Sequence, residues 1–134
     1  MDSIPAAFAD LFERKTVAHL ATVMSDGTPQ VTPVWIDRDE DGYVLVNTAR
    51  NRQKERNVRQ NEKVGVSIPD PEDPYRYLSI RGEVEEVTAE GAVEHIDELT
   101  RRYFEREEYP HHGDEVGERV ILRIRPDRVV TNGD

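Results

Sequence analysis

Short runs of apolar residues, separated by turn residues and charges, fill the first part of this chain and are typical of β-strands. The runs Val17 to Met24 and Gln30 to Ile36 flank Asp26-Gly27, a dipeptide that favours a tight hairpin turn. A third run, Tyr43 to Asn47, follows the charged segment Asp37 to Gly42, which we interpret as a turn. The pattern therefore predicts three strands, of which the first two form a hairpin.

The second half of the chain predicts further strands. Lys63 to Ile68 is short, whereas Tyr75 to Val87 alternates over a span long enough to serve two sides of a barrel. A closing strand is predicted from Glu118 to Ile124, resuming from Arg128 to Thr131.

Helical periodicity is predicted in three places between these strands. Ser3 is expected to cap a first helix that ends near Arg14, and a second helix is expected directly after the third strand. Thr88 is expected to cap a third helix that runs from Ala89 to about Glu107. The apolar stripe of this third helix is predicted to comprise Val93, Ile96, Leu99 and Tyr103.

Strands dominate this order, and the helices do not alternate regularly with them. The pattern therefore favours a mainly β fold, a small antiparallel barrel with helical insertions, over a doubly wound parallel sheet. A length of 134 residues fits one domain that spans positions 1–134.

The composition narrows the classes of function. No cysteine is present, which excludes thiolate metal sites and cysteine nucleophiles, and no apolar run is long enough for a membrane span or a signal peptide. We therefore expect a cytoplasmic protein.

The net charge is −10, and only three lysines occur. This acidic, lysine-poor composition suits a surface adapted to high salt, although an ordinary acidic protein from an arginine-rich genome is an equal alternative.

One stretch departs from this acidity. The segment from Asn47 to Arg59 carries five basic residues and a single acidic one, at the point where the third strand leads into a helix. We interpret Thr48, Arg50, Arg52 and Lys54 as candidates for binding a phosphate, although a solvated helix face would show the same charges. Arg56 and Arg59 are interpreted as surface charge. Nucleic acid is a poor partner for a chain with this net charge, since its binding needs many cationic contacts.

Two other groups of residues are candidates for a site. Pro33 cannot donate a hydrogen bond within a sheet, so its strand is predicted to be an edge or to contain a bulge.

The histidines are predicted to be structural or solvated: His19 packed or at an edge, and His95 on the exposed side of its helix. Adjacent His111 and His112 lack a spaced third ligand, so no metal site is predicted, and their loop could cover a groove.

Five segments in unbroken order are similar to those of a known superfamily. They are PQVTPVW, VLVNTARNRQKERNV, NEKVGVSI and PEDPYRYLSIRGEVEEV, with an acidic turn after the first. The chain resembles the pyridoxamine 5'-phosphate oxidase-like superfamily, in particular its small flavin- or deazaflavin-dependent oxidoreductases. The similarity extends from about Leu11 to Glu86 and includes the closing strand.

This resemblance implies a six-stranded Greek-key split β-barrel of the FMN-binding type, which forms a homodimer with two cofactor sites between the subunits. It also implies a role for Asn57 in supporting the second helix. The cofactor would be contacted by residues of the second strand, the third strand and the basic stretch: Thr32, Pro33, Val34, Trp35, Asn47, Thr48, Arg50, Arg52 and Lys54. Tyr75, Arg76 and Tyr77 would border the substrate side, from the partner subunit in one arrangement, and Tyr77 or solvent would deliver a proton.

The resemblance favours coenzyme F420 over FMN as the cofactor. FMN-dependent vitamin B6 oxidases carry a further C-terminal segment that recognises the substrate, and nothing after Asp134 supplies it here. The predicted function is hydride transfer from reduced coenzyme F420 to a small conjugated substrate. An FMN-dependent reductase or oxidase, a flavin-binding protein and a non-catalytic ligand-binding module are the alternatives.

Overall fold

A computed structural model describes residues 1–113 and 117–133. Within these residues the chain forms one antiparallel sheet of seven strands in the order β2-β1-β5-β6-β7-β4-β3. The strands are β1 (Val17–Val23), β2 (Pro29–Trp35), β3 (Asp37–Arg38), β4 (Val44–Ala49), β5 (Lys63–Pro69), β6 (Tyr77–Thr88) and β7 (Arg119–Asn132). A 3₁₀-helix (Ala6–Phe12) precedes them, α1 (Gln53–Gln60) follows β4, and α2 (Ala92–Phe104) follows β6.

The sheet curls around a single core, so that β2, at one end of the strand order, lies beside β4 near the other end. Alternate residues of β6, including Leu78 and Ile80, point inward, and the 3₁₀-helix buries Leu11 and Phe12 against them. This mainly β split barrel confirms the predicted fold class. The strand count is seven rather than six because Asp37–Arg38, predicted as part of a turn, pairs with β4.

The close approach of β6 and β7 depends on one glycine. The register between the two strands shifts at Gly82, where a Cβ atom would lie 2.1 Å from the carbonyl oxygen of Arg125. Only glycine allows this approach of the two backbones, and such irregularities increase the bend of a sheet.

The predicted hairpin of β1 and β2 is confirmed, and β2 is an edge strand, as Pro33 predicted. The predicted helix caps are wrong. The 3₁₀-helix begins after Pro5 without a capping side chain, and α2 begins after Gly91, since Thr88 accepts a hydrogen bond from the backbone N–H of Glu90 before the helix starts.

The apolar stripe of α2 also differs from the prediction at one position. The buried apolar residues Ala92, Ile96, Leu99 and Tyr103 are spaced by four, three and four positions. Val93 lies one residue from Ala92, or about 100° around the helix, and is therefore exposed. None of the helices in the described part of the chain is long and apolar enough to cross a membrane.

Candidate functional site

A cleft of about 420 Å³ opens between the edge strand β2, the end of β4 and the two helices. Strands β1 and β2 contribute Val17, Pro33, Val34 and Trp35, and β4 contributes Asn47 and Thr48. The remaining walls consist of Arg52, Lys54, Ile96, Leu99, Phe104, Tyr109, His111 and Arg119. The curl of the sheet, which places β2 beside β4, creates this cleft.

Seven of the nine residues predicted to contact a cofactor line this cleft together: Pro33, Val34, Trp35, Asn47, Thr48, Arg52 and Lys54. Thr32 and Arg50 are not among its lining residues. The Arg50 Nε lies 3.0 Å from Oε1 of Glu118, and this ion pair holds the side chain at the start of β7. Whether the seven residues hold a cofactor stays a prediction.

One wall of the cleft is cationic. Burial lowers the pKa of Lys54 below that of a free lysine, and the neighbouring charges of Arg52 and Arg119 lower it further. Three cations placed this closely repel one another unless an anion lies between them. The arrangement is therefore suited to an anionic ligand.

Arg119 is the member of this wall that the sequence analysis missed. It is buried, and its Nε and Nη2 donate hydrogen bonds to Oδ1 of Asn47 at 2.9 and 2.7 Å. Its guanidinium also lies 5.0 Å from the ring centre of Tyr109. Arg119 pairs in register with Ala49 at the end of β4, so a basic residue directly before the apolar run Val120 to Leu122 was the available signal.

Thr48 supplies an unsatisfied hydroxyl beside the cationic wall. Its side chain is 1 % exposed, and Oγ1 has no hydrogen-bond partner among the described residues. Buried polar atoms normally have partners, so this oxygen fits a site whose partner is a ligand or a water. Helix α1 begins at Gln53 without a capping side chain, and helix N-termini with free N–H groups favour phosphate.

The opposite wall is aromatic and rigid. The Trp35 ring stacks on Tyr103 with centres 4.8 Å apart and planes 6° apart, and it meets the edge of Phe104 at 5.0 Å. The Tyr103 hydroxyl accepts a hydrogen bond from the Ile36 N–H at 3.1 Å and donates one to the Thr16 carbonyl. A flat apolar wall facing three cations suits a ligand with a planar ring system and an anionic group.

The predicted substrate residues Tyr75, Arg76 and Tyr77 do not line the cleft of their own chain. Because β6 and β7 are antiparallel, Tyr77 pairs with Asn132, at the opposite end of β7 from Arg119. Arg76 instead binds Asp10 at 2.7 Å and Asp70 at 2.8 Å, tying the 3₁₀-helix to the β5–β6 loop.

The histidines differ from one another in their surroundings. The prediction that His95 is solvated is wrong: it is 7 % exposed and contacts Asn47 and Asp37. His19 is exposed on β1, and His111 lines the cleft while His112 contacts Asp97 at 2.7 Å. Within residues 1–113 and 117–133, no three His, Cys, Asp or Glu side chains are grouped to hold a metal.

Asn57 supports the helix, as the resemblance implied. Its side chain is buried, and Nδ2 donates a hydrogen bond to Oγ1 of Thr22 on β1 at 2.9 Å. This contact fixes α1 against the sheet and thereby sets the direction of its first turn, where Arg52 and Lys54 lie.

Comparison with known proteins agrees with this architecture. Residues 4–133 match the family described as pyridoxamine 5'-phosphate oxidase. A solved structure of an F420 reductase is 35 % identical, with a TM-score of 0.81, and the match covers 95 % of this chain and 98 % of the reductase. A search of curated protein sequences finds no match.

Two more distant structures share the fold. A conserved hypothetical protein from Mycobacterium tuberculosis is 24 % identical, with a TM-score of 0.76, over 98 % of this chain and 86 % of that protein. The HupZ protein of Group A Streptococcus is 20 % identical, with a TM-score of 0.65, over 98 % and 99 % of the two chains.

Proposed function

Because this chain belongs to the pyridoxamine 5'-phosphate oxidase family, we propose that it is an oxidoreductase whose cleft binds a flavin-type cofactor. The observation that carries this proposal is the pairing of the buried, unsatisfied Thr48 hydroxyl with the cations Arg52, Lys54 and Arg119. These groups suit a phosphate, and the Trp35 wall suits a planar ring.

Coenzyme F420 is the cofactor that we favour, and FMN is the alternative. The F420 reductase at 35 % identity matches nearly the whole of both chains, which supports the deazaflavin. Both cofactors combine a tricyclic ring with a phosphate, so the cationic and aromatic walls alone suit either.

When bound, the reduced deazaflavin would supply a hydride for an electron-poor conjugated substrate. Arg52, Lys54 and Arg119 would hold the phosphate, and the Thr48 hydroxyl would donate a hydrogen bond to a phosphate oxygen. Backbone groups of the edge strand around Pro33 would orient the ring. Proximity and orientation are the main contributions that such a site makes to the rate.

A second copy of the chain completes the proposed site. Tyr75 is 79 % exposed, and apolar Val31 and Val130 are also exposed, which suits burial against another protomer. In the homodimer that we propose, Tyr75, Arg76 and Tyr77 border the partner's cleft, and Tyr77 or solvent delivers the proton.

Side-by-side titration with the deazaflavin and with FMN tests the proposed function. We expect the deazaflavin to bind with a micromolar Kd, a binding free energy of about −8 kcal/mol. Quenching of the deazaflavin fluorescence measures this binding. Arg52→Ala or Lys54→Ala should each weaken binding about tenfold, since each removes one charged hydrogen bond to the anion.

The matched control for this titration is Arg56→Ala. Arg56 belongs to the same helix and carries the same charge, but it lies outside the cleft, where it bonds to Asn51 and Gln53. Tighter binding of FMN than of the deazaflavin would show that FMN is the preferred cofactor. Equal losses of affinity in Arg56→Ala and Lys54→Ala would contradict a specific phosphate site. Binding without reduction of any electron-poor acceptor would instead indicate a ligand-binding module.

Cofactor affinity is also expected to fall at alkaline pH. Burial and the neighbouring arginines lower the pKa of Lys54 in the free protein, whereas a bound anion raises it. Binding therefore favours the protonated amine, and affinity declines as the pH rises through the lowered pKa. Titrations between pH 7 and 10 measure this. Lys54→Arg, whose charge does not titrate in this range, should remove the decline, and a persisting decline would assign it to another group.

A further inference from the structure

A chain of hydrogen bonds connects the cleft to β3 along the buried side of α2. It begins at Arg119, which donates two hydrogen bonds to Oδ1 of Asn47, at 2.9 Å from Nε and 2.7 Å from Nη2. A guanidinium has only donors, so the atom of Asn47 that faces it must be the amide oxygen. The orientation of the Asn47 amide is therefore fixed by chemistry.

The amide nitrogen of Asn47 consequently faces the other way. Nδ2 donates to the carbonyl oxygen of Ala92 at 2.8 Å and lies 3.1 Å from Nδ1 of His95. Since Nδ2 is a donor, Nδ1 of His95 must be an acceptor and carries no proton.

The other ring nitrogen of His95 then carries the proton. Nε2 lies 3.0 Å from Oδ2 of Asp37, to which it donates. Burial raises the pKa of Asp37, but the hydrogen bonds from His95 and Arg102 outweigh it and hold the pKa below its usual range. Asp37 is thus a charged acceptor, and Nη2 of Arg102 donates a hydrogen bond to its Oδ1 at 2.9 Å.

From these contacts we propose that His95 is a positioning residue: it fixes the amide of Asn47, which in turn holds the Arg119 guanidinium in the cleft. The effect on ligand affinity rests on the proposed function, whereas the placement of Arg119 does not. A His95 protonated at Nδ1 would face the Asn47 N–H groups donor to donor, and turning the amide would present its nitrogen to Arg119.

The first test uses NMR of the ¹⁵N-labelled protein at pH 7.5 without any ligand. His95 should be protonated at Nε2 and unprotonated at Nδ1, and the Arg119 Nε–H should exchange slowly with water. In His95→Leu the Asn47 amide loses an acceptor, so the Arg119 proton should exchange about tenfold faster. His95→Gln offers an amide oxygen to Asn47 and should restore slow exchange.

The control is Glu98→Leu, on the exposed face of the same helix, which should leave the Arg119 signal unchanged. A proton on Nδ1 of His95, or equal exchange rates in folded His95→Leu and the parent, would overturn the proposal. If His95→Leu does not fold, the tautomer of the parent and the signal of His95→Gln decide the question.

The second test measures the affinity for the deazaflavin and FMN. His95→Leu should bind about tenfold more weakly and His95→Gln nearly as well as the parent. An unchanged affinity in folded His95→Leu would refute a role in the site. If the parent binds neither cofactor, the proposed function fails, and the ligand-free NMR still tests the placement of Arg119.

Discussion

Arg59→Ala is expected to lower the free energy of unfolding by about 2 kcal/mol, because it leaves the buried carboxylate of Glu55 without its half-exposed cation. Glu55 is fully buried on α1, and Arg59 covers it: Nη2 donates to Oε1 at 2.9 Å, and Nε lies 2.8 Å from Oε2. Oε2 has no hydrogen bond among the described residues and depends on this charge. Urea unfolding at pH 7 measures the loss.

Two further variants separate the ion pair from the loss of one positive charge. Arg56→Ala, on the same helix, should cost less than about 1 kcal/mol because Arg56 is exposed. Adding Glu55→Gln to Arg59→Ala should recover part of the stability, since it removes the uncompensated charge while an amide oxygen can still accept from the Asn51 N–H. Equal losses in Arg56→Ala and Arg59→Ala would contradict this account.

Tyr103→Phe is expected to destabilise the protein by about 2 kcal/mol, because it leaves the Ile36 N–H and the Thr16 carbonyl unpaired in the core. Burial raises the pKa of the Tyr103 hydroxyl, so this group stays protonated and can donate throughout the neutral range. Thermal or urea unfolding checks the magnitude.

The same substitution tests how rigid the aromatic wall is. The ring of Phe still stacks on Trp35, so Trp35 should keep its place while stability falls. Cofactor affinity at a temperature well below unfolding should therefore change less than threefold, or by less than about 0.7 kcal/mol. A stability equal to that of the parent would mean that water replaces the lost hydroxyl.

The basic stretch illustrates how far sequence reasoning extends. Charge contrast and the strand-to-helix position made Arg52 and Lys54 candidates, and both line the cleft because consecutive local elements place them at the start of α1. Arg50 and Arg59 were assigned less well, because each pairs with a carboxylate whose location depends on packing. Arg59 was interpreted as surface charge and is instead the cover of a buried carboxylate.

Residues that act across long distances in sequence were not predictable. Arg119 and His95 meet Asn47 over separations of 72 and 48 residues, and no local pattern marks either contact. Helical periodicity placed His95 on the exposed face because Val93, rather than Ala92, was assigned to the buried stripe of α2.

The sequence by itself determined the order of the strands and helices apart from β3, the edge position of β2 and the cationic start of α1. Alternation, proline chemistry and charge act locally, so each can be inferred from a short window. The tertiary structure alone decided which side chains share a site. Curling of the sheet brings β2 beside β4, and antiparallel pairing places Arg119 in the cleft while it moves Tyr77 to the far end of β7. Register and curvature arise from packing of the whole core, which no single segment encodes.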